Sequence, residues 1–257
     1  MQLTQSEINL IERTRKLSER WPKTRWIAGP VAVLVTSIVA GPAQDWTRSP
    51  QDWTQNLYAS VDIGPLFQPD TTLYQSYPSP TTANASFNPG IRGDIALGYN
   101  ITKSLAAEFD TGVLWNSMDS LGGIPLSSDG LSFDTYTVPI MANIVYKVPL
   151  TGPWSPYLGV GIGGAAAIVS YDVGGSTPTT VGDCDFVFAY SVEAGLKYKL
   201  TKNACIGIAY KFFGMMDPSW NLVVPTVPGS LLPAANYHFK EEGFYTHSIV
   251  VGFTWNF

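Results

Sequence analysis

His247-Ser248-Ile249-Val250-Val251-Gly252-Phe253-Thr254-Trp255-Asn256-Phe257 decides how this chain is read. Counting back from Phe257, every second residue is large and mostly apolar: Trp255, Phe253, Val251, Ile249 and, beyond His247, Tyr245. Between them stand Asn256, Thr254, Gly252, Ser248 and Thr246, with Val250 the exception. Side chains alternate across a strand, so this strand has one greasy face and one small, polar face. That division matches lipid on one side and a narrow polar lumen on the other.

The same alternation recurs upstream in seven segments, 57–67, 91–101, 105–115, 136–148, 157–170, 186–200 and 204–214. Segments of that length cross a bilayer at a tilt. The links between them alternate. Residues 102–104, 149–156 and 201–203 are short; 68–90, 116–135, 171–185 and 215–244 are long and rich in Pro, Ser, Thr, Gly and Asn, as surface loops are. Tight turns on one side and long loops on the other are the layout of an outer-membrane barrel. The expected fold is all-β: an eight-stranded antiparallel up-and-down transmembrane barrel over residues 56–257.

Charge placement separates a lipid-facing barrel from a soluble one. Ten charged side chains fall within the segments: Asp62, Arg92, Asp94, Glu108, Asp110, Lys147, Glu193, Lys197, Lys199 and Lys211. All ten lie on the polar face, with most of the glycines and alanines. An eight-stranded lumen has room for small and polar side chains, not for rings of Phe, Tyr and Leu, so the greasy face points out. Tyr99, Trp115, Tyr136, Tyr146, Tyr198, Tyr245, Trp255 and Phe257 sit near strand ends, where interfacial girdles belong. Five acids and five bases confined in a partly dry lumen should pair, forming a charge network that plugs it. A gated narrow channel lined by the same residues is the alternative.

Composition agrees. Charged residues make up 14% of the chain, against a usual share of about 25%. Residues 1–25 carry Arg13, Arg15, Lys16, Arg20, Lys23 and Arg25, and an uncharged run from Trp26 to Ala40 follows. A basic region, a short apolar run and the small residues around Ala43 read as an export signal over 1–43, with an uncleaved anchor as the alternative. Residues 44–55 form a short N-terminal segment. Residues 1–43 hold six of the 15 bases and three of the 20 acids, which leaves 9 and 17 and a net charge of −8. That balance speaks against nucleic acid as a partner, which needs a basic face.

At this point the chain resembles small eight-stranded outer-membrane barrels such as the transmembrane domain of outer-membrane protein A and the opacity-type surface proteins. The resemblance covers residues 56–257 and rests on strand count, loop alternation and the terminal aromatics. It implies a bacterial outer-membrane location in contact with lipid and lipopolysaccharide. It also implies that Phe253, Trp255 and Phe257 form the signal read by the barrel-assembly machinery.

Other chemistries find little support. No CxxC or His/Cys cluster offers a metal site, and no cofactor is implied. Gly159, Gly161 and Gly163 alternate within a strand, with no helix following, so they are lumen-wall glycines and not a phosphate loop. Cys184 and Cys205 fall at opposite ends of their strands, tens of Å apart at about 3.3 Å per residue, too far for a disulfide. Some similar barrels modify lipid, using His, Ser and an acid. Here His247 falls on the lipid face with Ser248 opposite, and His238 lies in the last loop near Glu241 and Glu242, so a non-enzyme is expected. The apolar residues of that loop, Trp220, Leu222, Val223, Val224, Leu231 and Leu232, point to a surface ligand, a neighbouring barrel or the lumen mouth. A structural or surface-binding role through the external loops is the expected function.

Overall fold

The computed structural model describes residues 56–77, 79–126, 132–172, 180–224 and 235–257. Backbone contacts divide the chain into two units, Met1–Ser49 and Pro50–Phe257, and the described residues belong to the second. The proposed export signal, together with Leu231 and Leu232, lies outside them.

Eight strands close into a barrel: β1 (Leu57–Phe67), β4 (Gly90–Asn100), β5 (Leu105–Leu121), β7 (Ser132–Lys147), β8 (Trp154–Asp172), β9 (Thr180–Lys199), β10 (Ala204–Met215) and β13 (Tyr245–Asn256). Each pairs antiparallel with its neighbour in chain order, and β13 pairs with β1 to complete the ring. Closure leaves no backbone edge unpaired in hydrocarbon. The exposed apolar face runs around the outside, with Val61 at 56% and Ile162 at 63% exposure. Only lipid accommodates such a belt.

Two aromatic levels frame the belt. Trp115 pairs with Tyr136 near the loop end, and Tyr146 pairs with Leu105 near the turn end. From Leu105 to Trp115 is about 33 Å along the strand at ~3.3 Å per residue. At a tilt of about 40° that is roughly 25 Å along the membrane normal, the height of an outer-membrane apolar band. Trp154 packs edge-on against Tyr198 at the turn level, with ring centroids 4.7 Å apart.

The turn side uses one device twice. In Thr102-Lys103-Ser104 the threonine hydroxyl accepts hydrogen bonds from the Ser104 and Leu105 amides, at 3.2 and 3.0 Å. In Thr201-Lys202-Asn203 the same hydroxyl accepts from the Asn203 and Ala204 amides, at 3.3 and 3.0 Å. A threonine at the first position thereby satisfies amides that the tight reversal leaves unpaired.

The loop side departs from the sequence reading. Most of the described residues within 68–90 and 215–244, read as loops, are strand. β2 (Thr71–Tyr77) and β3 (Thr81–Phe87) form one hairpin, and β11 (Ser219–Val224) and β12 (Ala235–Glu242) form another. With β6 (Ile124–Pro125) and the outer end of β5 they build a second sheet in the order β11-β12-β2-β3-β5. β5 turns into β6 through Gly122 and Gly123, whose φ values of 61° and 81° are those of a two-residue hairpin turn.

The free edge of this outer sheet is tied down by side chains. Asp183 Oδ2 accepts the Asn221 amide at 2.7 Å, and Asp185 Oδ2 accepts the Ser219 amide at 2.9 Å. Two carboxylates, one strand period apart on β9, thus stand in for a strand partner of β11.

Candidate functional site

The inner face of the barrel carries two sites of opposite character. The lower one is ionic. Lys211 Nζ donates to Asp62 Oδ2 at 2.8 Å and to Asp94 Oδ2 at 3.0 Å. It also lies 3.5 Å from Asp110 and 3.8 Å from Glu193. Arg92 Nε donates to Asp94 Oδ2 at 2.6 Å. Two cations and four carboxylates therefore converge at mid-height from five strands.

Closer to the turns the balance inverts. Glu108 accepts a hydrogen bond from the Tyr58 hydroxyl. The Lys147 ammonium lies 4.3 Å from the centre of the Tyr58 ring and donates to Asn100 Oδ1 at 2.5 Å. Lys197 lies 5.5 Å from the Tyr58 ring and 5.0 Å from the Tyr157 ring. The charges are thus segregated by height, an acid-rich layer above a base-rich one, instead of matched pair by pair. Lys199 belongs to neither layer. It is the last residue of β9 and exposed, because the strand has already left the lumen there.

Missing side chains make room for the ones present. A Cβ on Gly98 would sit 2.1 Å from the Tyr58 ring, and one on Gly252 would sit 1.9 Å from an Asp62 oxygen. Gly161 gives way in the same manner to Asn143 and Ser191. Beside Asp62, Tyr157 and Lys197 the remaining void is about 10 Å³, room for no more than one water. Among the described residues no group of His, Cys, Asp and Glu is arranged to hold a metal ion.

Above Lys211 the inner face changes to apolar. β5 continues with Leu114 and Met118, β8 with Ala165, Ala167, Val169 and Tyr171, and β10 with Phe213 and Met215, all buried. The outer sheet adds Leu73, Trp220, Leu222 and Tyr237 to the same cluster. Trp220 is locked in place by its indole N–H, which donates to the Ala167 carbonyl at 3.0 Å. Trp220 and Leu222 therefore turn inward over their own barrel mouth, while Val223 stays exposed.

Within this cluster lies a cavity of about 300 Å³. Its walls are apolar except for Gln75, Thr135 and Glu241. Glu241 is 1% exposed. One of its carboxyl oxygens accepts from Gln68 Nε2 and from Thr71 Oγ1, both at 2.8 Å. Gln68 Oε1 in turn accepts from Asn116 Nδ2 at 2.7 Å, and the Asn116 side-chain oxygen accepts from Thr135. Burial pushes the Glu241 carboxyl up to about 7, against the pull of the two hydrogen bonds.

Sequence reasoning missed Glu241 as a buried group. It lies on β12 with Tyr237 and Phe239 on one face, while His238, Lys240 and Glu242 occupy the other. That alternation was visible in residues 237–242 but short enough to be taken for a loop. His238 Nδ1 pairs with Asn221 Oδ1 at 2.8 Å. His247 lies on the outer face, 2.6 Å from the Tyr210 hydroxyl. Cys184 and Cys205 are both free thiols.

A closed eight-stranded barrel with a lipid-facing belt and a polar lumen is the decisive observation. The chain belongs to the outer membrane protein beta-barrel domain family, whose model matches residues 31–257. Membership places it in the bacterial outer membrane. An uncharacterized protein of Brucella suis biovar 1 is 24% identical over 90% of this chain and 98% of its own length. Among solved structures, the outer membrane protein OprG from Pseudomonas aeruginosa is similar with a TM-score of 0.53 and 11% identity, covering 79% of this chain and 98% of OprG. The outer membrane protease OmpT from Escherichia coli is similar with a TM-score of 0.51 and 8% identity, covering 84% of this chain and 99% of OmpT. Both likenesses concern the fold alone.

Proposed function

We propose that this member of the outer-membrane barrel family is a surface-binding protein whose lumen is closed and whose outer sheet forms the recognition site. One observation carries the reading: five strands outside the barrel ring are spent on walling a cavity at its outer mouth, directly above a lumen crossed by ion pairs. A passive channel needs a continuous wet path, and here Lys211 and its four carboxylates meet across the bore. A catalytic role is not supported by the histidines, because His247 faces lipid and His238 faces away from the cavity. In planar bilayers the full chain is expected to give no unitary conductance steps. Regular steps at neutral pH would sink the surface-binding reading in favour of the channel. Export is proposed to proceed by removal of residues 1–43, so N-terminal sequencing of protein isolated from outer membranes should begin at Gln44; an intact Met1 would count for the anchor.

A further inference from the structure

The cavity at the outer mouth is a built feature. The cavity is partly open, and apolar lining left facing water costs free energy that a bound apolar ligand would recover. A cavity of about 300 Å³ lined by Leu73, Met118, Val169, Trp220, Leu222 and Phe239 is poor for water, which needs polar partners. An apolar cavity of roughly half that volume holds a benzene. Two wall residues are held by neighbours: Trp220 is hydrogen-bonded to β8, and the Phe239 ring stacks on Tyr237 with centroids 5.8 Å apart. Polarity is confined to a few positions, where Glu241 is steadied by Gln68 and Thr71. Few, fixed polar groups in an apolar cavity are the composition of small-molecule sites.

We propose, building on the surface-binding reading, that this cavity binds one uncharged small molecule with an apolar body and a single hydrogen-bonding group, the size of a bicyclic aromatic alcohol or a medium-chain alcohol. The apolar walls take the body, and Glu241 with Thr135 meets the hydroxyl. Charge excludes the closest alternatives. No Lys, Arg or His lines the cavity among the described residues, so an anionic head would enter unpaired beside the Glu241 carboxyl. A cationic head would have to shed its water for one carboxyl group, of which one oxygen is already shared with two donors.

The test uses the full chain refolded into phosphatidylcholine vesicles, with folding checked by heat-modifiable gel migration. Equilibrium dialysis of tritiated 1-naphthol is compared with protein-free vesicles. The expected result is saturable binding of one naphthol per barrel above the lipid partition, with 1-naphthoate at least tenfold weaker. Leu222→Trp fills the cavity and should cost at least tenfold in affinity. Val169→Phe, on a barrel strand, repeats the test if the first variant does not fold. Naphthol uptake equal to lipid alone in folded protein overturns the proposal. So does tenfold tighter binding of 1-naphthylmethylammonium, which would make the site a cation site. Saturable binding that appears only after Leu231→Ser and Leu232→Ser would also overturn it, by showing that the chain's own segment fills the cavity. Conductance steps are a separate outcome: they remove the surface-binding reading without bearing on whether naphthol binds.

Discussion

The lower and upper halves of the inner wall are built from the same strands on the same face, yet they do opposite things. On β10 the inward series runs Gly207, Ala209, Lys211 and then Phe213, Met215. On β8 it runs Gly159, Gly161, Gly163 and then Ala165, Ala167, Val169, Tyr171. Below the change, glycines let polar side chains fill the bore. Above it, apolar side chains and an added sheet leave a cavity. The lesson is that an inward face need not keep one polarity along a strand. Its polarity follows what stands across from it: first the opposite wall, then the roof of loop strands.

The comparison breaks most visibly at Lys211. Replacing it with Met leaves Asp62, Asp94, Asp110 and Glu193 facing one another with only Arg92 for compensation. Breaking a buried ion cluster from one side costs about 3–5 kcal/mol. Urea titration in vesicles should show that loss for the barrel, whereas the same change at exposed Lys199 should be nearly silent.

The upper half should instead respond to pH. Glu241 titrates near 7 when folded, above its ordinary 4.5. Between those values the folded state holds a proton that the unfolded state has released. The contribution of Glu241 to the outer sheet is therefore full below about pH 4.5 and falls as pH rises to about 7, by at most about 3 kcal/mol. Amide exchange in β2 and β12 should speed up over that window and level off above it. Glu241→Gln, which cannot titrate, should flatten the dependence; an unchanged profile would assign it to another group.

Smaller effects refine the contrast. Gly98→Ala pushes a methyl into the Tyr58 ring and disturbs its bond to Glu108, at about 1–3 kcal/mol measured on the barrel transition. Asp183→Asn and Asp185→Asn weaken the acceptors that hold β11, at about 1 kcal/mol each. Their effect should appear as faster amide exchange in β11 with the barrel midpoint unmoved. A shift of the whole barrel would mean that outer sheet and barrel unfold as one unit.

Much of the barrel was legible because its solvent imposes a simple code. Lipid outside and a tight bore inside force period two on every crossing strand, so β1 falls on residues 57–67 and β10 begins at Ala204, as the alternation places them. Above the membrane the code lapses. β5 runs on to Leu121 and β9 begins at Thr180, because outside the lipid both faces of a strand may be mixed. Asp183 and Asp185 look in sequence like loop acids, and only their placement beside the β11 amides shows what they do.

The sequence by itself determined the barrel, its orientation toward lipid and the inward face of the strand charges other than Lys199, since each follows from side-chain alternation within one strand. Tertiary structure alone decided which of those charges meet, that Lys199 stands apart, and that Glu241 lies buried at the edge of an apolar cavity. Those facts depend on pairings between residues as far apart as Gln68 and Glu241. No local period encodes such a pairing; closing the ring and folding its loops into a second sheet brings the partners together.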